Sequence, residues 1–165
     1  MIDIVKQIED VIKIQKMISS SSSHKYKYMS GYDFVLKNGV KCIPQPYDAS
    51  KYAGVPRTKK ECFRNAYYLS LYEGLIYVEG LGFNNLITEH AWCVDEDMNV
   101  YDPTWDEPET REYYGVLFNM DYVEKIARES EVWGVIQNYK GRFPLLTGEH
   151  TDFKHKFESN ESKRN

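Results

Sequence analysis

The chain reads as an α+β protein in which helices precede a run of short antiparallel strands. Apolar residues recur at helical spacing over 3–18, and a second helix is signalled from residue 59 by its start and stop residues. Short β-prone stretches then crowd residues 75–118, separated by Gly and Asn. Helices first and strands afterwards, without regular alternation, is the pattern of helices laid against an antiparallel sheet.

With 165 residues and 42% hydrophobic content the chain can bury one substantial core. The expected organisation is an amphipathic helix at 1–18, a Ser-rich joint at 19–30, a single α+β domain at 31–148 and a polar tail at 149–165. Ile4, Val5, Ile8, Val11, Ile12 and Ile18 give the first helix its apolar stripe. That stripe either docks on the domain or serves self-association or partner docking through residues 3–18; docking is the plainer expectation. Ser19 to Ser23 should act as a flexible joint.

Residues 31–46 are expected to form a hairpin with Asn38-Gly39 as its turn, ended by Pro44 and Pro46, with a loop from 47 to 57. Thr58 and Glu61 have capping-box spacing, which predicts a helix from Lys59, and Gly74 suits its C-terminal stop. Strands are expected at 75–81, 88–95, 99–104 and 113–118, with Gly80, Gly82, Asn84 and Asn85 as turn residues between the first two. Asn119 can cap a helix to about Glu129 that carries Tyr122, Val123 and Ile126. A last strand is expected at 133–139, and the segment from Glu149 should be frayed. Fourteen tyrosines and three tryptophans are expected to line the core and a groove.

Several function classes are disfavoured. A net charge of -4 and a pI near 5.6 argue against nucleic-acid binding. Neither an export signal nor the roughly 18 apolar residues of a membrane span is expected. Cys42, Cys62 and Cys93, an odd set, point to reduced thiols in the cytoplasm. No metal and no cofactor is expected: zinc-like Cys/His spacing is missing, and His150 and His155 stand in a polar tail.

The chemistry-bearing residues are Cys62, His90 and Asp102. Cys62 falls at a helix start, where the positive end of the helix dipole and the nearby Lys59 and Lys60 favour a thiolate. On a strand, His90 shares a face with Trp92 and Val94, whereas Cys93 points the other way. His90 and Asp102 can meet only if the joining hairpin pairs residues whose numbers sum to an even value, as a three-residue loop or a bulge allows.

Cys62-Phe63-Arg64-Asn65-Ala66, Tyr77-Val78-Glu79-Gly80, His90-Ala91-Trp92-x-Val94-Asp95 and Val100-Tyr101-Asp102-Pro103-Thr104-Trp105 together resemble the core of the transglutaminase-like cysteine enzymes, part of the papain-like group. The resemblance spans roughly residues 58–118. It implies a papain-like core with a nucleophile-bearing helix on an antiparallel sheet, and a Cys62–His90–Asp102 triad. The implied reaction is thiol-dependent acyl transfer, hydrolysing an amide or isopeptide bond of a protein or peptide as a peptidase or deamidase. An amine-accepting crosslinking transglutaminase and a non-catalytic papain-like scaffold are the alternatives. The Cys62 backbone N–H is one expected oxyanion donor. Gln45, Tyr52 and Asn65 are the side-chain candidates for a second, and Trp92 is a candidate for substrate contact.

Overall fold

Asp3 opens the first helix, α1 (Ile4–Ile18), by accepting a hydrogen bond from the Val5 backbone N–H at 3.1 Å. Ile4, Ile8 and Ile12 are buried in the core cluster that includes Phe34 and Val35, while Ile14, Met17 and Ile18 are exposed. The helix is therefore docked along the stripe that its periodicity marks. The computed structural model describes residues 2–19 and 26–158. Ser20 to Ser23 of the serine run and the last seven residues of the tail lie outside them. Ser19 closes α1, donating to the Gln15 carbonyl from both its backbone N–H and its hydroxyl.

Residues 31–46 do not form the expected hairpin. Gly31–Asn38 is a helix, α2, followed by a three-residue strand, β1 (Val40–Cys42). Ser30 and Asp33 cap it reciprocally: the Ser30 hydroxyl accepts from the Asp33 N–H, and the Asp33 carboxylate accepts from the Met29 N–H. Burial of Phe34 and Val35 adds tertiary weight to that local signal. Asn38-Gly39 ends this helix, with the Gly39 N–H donating to the Val35 carbonyl.

The next helix, α3 (Cys62–Glu73), starts three residues later than expected. The capping box does not close, because Lys60 adopts a left-handed conformation at φ 66° and the Glu61 side chain pairs with Arg64. Cys62 is thus the first helical residue. Gly74 ends the helix as expected, at φ 68°.

Strands β2 (Ile76–Asn84) and β3 (Leu86–Val94) are longer than expected and turn on the left-handed Asn85. Gly80 and Gly82 are interior strand residues, not turn residues: a methyl on Gly80 would press on the Tyr114 and Gly115 backbone, and one on Gly82 would collide with the Trp105 ring. Strand β4 is only Val100–Tyr101, since Asp102 breaks the ladder by accepting from the N–H groups of Thr104 and Trp105. Strand β5 (Glu112–Leu117) and helix α4 (Met120–Ser130), capped by Asn119, follow as read.

Residues 133–139 are not a strand. The backbone N–H groups of Val135 and Ile136 are taken by the Glu79 carboxylate at 2.6 and 3.1 Å, which removes the donors a ladder would need. A short helix, α5 (Pro144–Thr147), comes next. The segment after Glu149 is not frayed through its described part: Phe153 is buried, its carbonyl accepts from Asn119 N, and His155 N donates to Leu117 O.

The sheet is antiparallel in the order β1-β5-β2-β3-β4 and curls. Ile43, just past β1, donates to the Met98 carbonyl and accepts from Val100 N, both at 2.8 Å, which joins the two ends of the strand order. Tyr77, Leu81, Ala91, Cys93 and Val116 face the helices. The opposite face packs Cys42, Ile76, Val78, Trp92, Val94, Val100 and Tyr113 on one another inside the curl. Among the described residues no helix is long and apolar enough to cross a membrane.

The docking of α1 predicts a contrast along a single helix. Ile8→Ala should cost about 2–5 kcal/mol in urea unfolding, since Ile8 is wholly buried, and Ile14→Ala within about 0.5 kcal/mol of nothing. Equal effects would show that the helix is not held by that face.

Candidate active site

β3 and β4 are paired Cys93 to Tyr101 and Val94 to Val100, the even-sum register that sets His90 and Asp102 on one face. The connecting loop is the three residues Glu96-Asp97-Met98: Asp95 N donates to Asn99 O, and Met98 takes a left-handed conformation at φ 66°. Beyond Tyr101 the ladder has ended, so Asp102 turns inward. Its Oδ2 stands 2.7 Å from His90 Nε2, with the two side chains 0% and 2% exposed. The same oxygen accepts from the Tyr113 hydroxyl at 2.9 Å, and Oδ1 accepts from Thr104 N and Trp105 N. A buried carboxylate is costly unless its lone pairs are filled, and here four donors surround it.

The imidazole is covered as well as paired. The Trp105 indole stacks on it with ring centroids 3.8 Å apart at 8°, and the indole lies over Gly82, where a side chain would collide with it. Burial alone would lower the pKa of His90. The charge and hydrogen bond of Asp102, with nearby Cys62 acting in the same direction, outweigh that and raise it to about 9.

Cys62 and His90 open on a common cleft of about 750 Å³, walled in part by Lys60, Thr104, Trp105 and Arg111. As the first residue of α3, Cys62 presents a backbone N–H with no intrahelical acceptor. The start of the helix is fixed to the Asp102 turn: Asn65 Nδ2 donates to Thr58 O at 2.8 Å and to Thr104 Oγ1 at 3.0 Å, and Arg57 Nε donates to Pro103 O at 2.9 Å. The other thiols are elsewhere. Cys93 is wholly buried and donates to Ala66 O; Cys42 is buried inside the curl and pushed up to about 12 by that burial.

None of the side chains expected to supply a second oxyanion donor or substrate contact lines this cleft. Gln45 Nε2 reaches Asn99 Oδ1 at 3.4 Å, and Tyr52 stacks on Tyr47. Asn65 is fully buried as a tether, and Trp92 is fully buried inside the curl. Residue type suggested each of them, and tertiary packing spends each otherwise. Trp105, Gly82 and Tyr113 complete the site without having been expected there. Trp105 adjoins the Asp-Pro-Thr motif, and an isolated Gly in a strand pattern can mark a close approach; Tyr113 has no local signal.

Glu79 is a second buried carboxylate, on the helix-facing side of β2. Burial drives its pKa up, and the Ile136, Tyr77 and Val135 donors pull it back part way, to about 7. Among the described residues no cluster of three or more His, Cys, Asp or Glu could hold a metal ion. Comparison with protein-family models, curated proteins and solved structures found no match.

Folding raises the pKa of Glu79 from 4.5 to about 7 and that of His90 from 6.5 to about 9. In both cases the folded chain holds the proton more tightly, so the stabilisation is full below the lower value and is lost as pH rises through the upper one. Denaturation midpoints should therefore fall between about pH 4.5 and 7 and again toward pH 9. Glu79→Gln should flatten the first decline; its persistence in that variant would assign it to other groups.

Proposed function

We propose that the chain is a thiol-dependent acyl-transfer enzyme that hydrolyses an amide or isopeptide bond of a protein or peptide, on a papain-like, transglutaminase-like core. Cys62 is the nucleophile, His90 the base and acid, and Asp102 the residue that orients the imidazole. One observation carries this reading: His90, held by buried Asp102 at 2.7 Å, opens on the same cleft as a cysteine at a helix start.

The proposed steps use the groups that meet at the cleft. Asp102 holds Nε2, which leaves Nδ1 for the thiol. A thiolate on Cys62 attacks the carbonyl carbon, forming a C–S bond, and the oxyanion accepts from the Cys62 backbone N–H at the positive end of α3. His90 delivers its proton to the leaving nitrogen as the C–N bond breaks, giving a thioester. A water that gives its proton to His90 then cleaves the thioester and frees the thiol. Asp102 holds the tautomer and stabilises the imidazolium throughout. Three unpaired cysteines favour a reducing, cytoplasmic setting.

Cys62→Ala and His90→Ala should reduce hydrolysis of a fluorogenic peptide library to background. Asp102→Asn should lower kcat by roughly 10²- to 10⁴-fold while leaving measurable activity. Cys42→Ser and Cys93→Ser, where folded, should retain it. Activity should fall above about pH 9 as the imidazolium is lost. Iodoacetamide at mildly acidic pH should label Cys62 ahead of the other two thiols. A folded Cys62→Ala protein with undiminished effect would replace the enzyme by the scaffold reading.

A further inference from the structure

Beside the cleft lies a smaller cavity of about 80 Å³ that the acyl-transfer chemistry does not use. Phe63, the residue after Cys62, and Glu89 line both, so the two spaces adjoin at the nucleophile's neighbour. The cavity is walled by apolar groups, including Phe63, Leu81 and Trp133, yet it carries two carboxylates. Glu79, 1% exposed, is at its inner end, and the exposed Glu89 is at the outer.

The carboxylates are hydrogen-bonded but carry no counter-charge. Glu79 Oε1 accepts from the Tyr77 hydroxyl and Val135 N, and Oε2 accepts only from Ile136 N, which leaves that oxygen an acceptor position. Glu89 accepts from the Gln137 amide. Among the described residues no lysine or arginine pairs with either. Above about pH 7, where Glu79 is mostly ionised, a neutral apolar occupant would leave both charges uncompensated, and an anion would be repelled by both.

On the reading of the cleft as a peptide-binding site, we propose that this cavity is a specificity pocket for a lysine side chain of the bound substrate. The volume admits roughly five to eight water-sized positions at about 10–15 Å³ each, enough for a methylene stem ending in an ammonium. The stem lies along Phe63, Leu81 and Trp133, as long cationic side chains do on apolar surface. The ammonium donates toward Glu79 Oε2 and is flanked by Glu89, a charge-assisted contact that a hydroxyl or a methyl cannot reproduce.

The test reads binding, so it does not depend on turnover. Pentylammonium and its neutral isostere 1-pentanol are titrated into the full chain and followed by amide chemical shifts. Pentylammonium should bind at least tenfold tighter, with the largest shifts at Gly134, Val135 and Ile136. Glu79→Gln should erase that preference, and the exposed Glu89→Gln, which leaves the core intact, should cut it several-fold. Equal affinities, shifts confined to other amides, or a preference undiminished in folded Glu89→Gln would overturn the pocket. An unreactive Cys62 in a protein that keeps the preference would remove the enzyme reading and leave the pocket standing. A reactive thiol without the preference would remove the pocket alone.

Discussion

The rest of the site depends on burying one ion pair. A carboxylate and an imidazole withdrawn from water are expensive unless every remaining lone pair and proton is met and the contact between them is short. Asp102 satisfies this with four donors from three directions: His90 across the strand, Tyr113 from β5, and the two backbone N–H groups of its own turn. Much of the local architecture follows. β4 stops after two residues because Asp102 needs the Thr104 and Trp105 amides. β2 carries Gly82 because Trp105 must lie flat between the strand and the imidazole.

The helix start is tied to the same turn. Asn65 links α3 to Thr104, and Arg57 holds the Pro103 carbonyl, so the residues flanking Cys62 and those flanking Asp102 are one hydrogen-bonded unit. A thiol positioned on a helix and an imidazole positioned on a sheet would otherwise drift with every small shift of helix against sheet. Here a displacement of either element breaks buried hydrogen bonds, each worth about 1 kcal/mol net and more when a buried group is left unpaired.

The legible parts of the sequence were those whose signals are local. α1 follows from apolar spacing and α4 from its cap Asn119, and the parity of His90 and Asp102 follows from the two-residue period of a strand. Segments whose partners are distant in sequence misled. Val135 and Ile136 sit in a β-prone stretch, but their donors go to Glu79, 56 and 57 residues away. Asn38-Gly39 is a strong hairpin signal that lost to the Ser30–Asp33 box and the burial of Phe34 and Val35. Gly80 and Gly82 read as turn residues because the space taken by Trp105 and the Gly115 backbone is invisible along the chain. Gln45, Tyr52, Asn65 and Trp92 were selected by side-chain type alone, and type does not say which face or which layer a residue occupies.

The closure at Ile43 bears on how a chain so rich in aromatic and β-prone segments stays apart from its own copies. Open sheets present a row of unpaired N–H and C=O groups at each margin, and such rows recruit further strands into aggregates. In this sheet the two outermost strands are three and two residues long, and Ile43 engages Met98 and Val100 across the gap between them. Little outward-facing backbone is left there as a template. The curl that encloses the histidine and aspartate thereby also blunts the margins at which cross-β growth would begin.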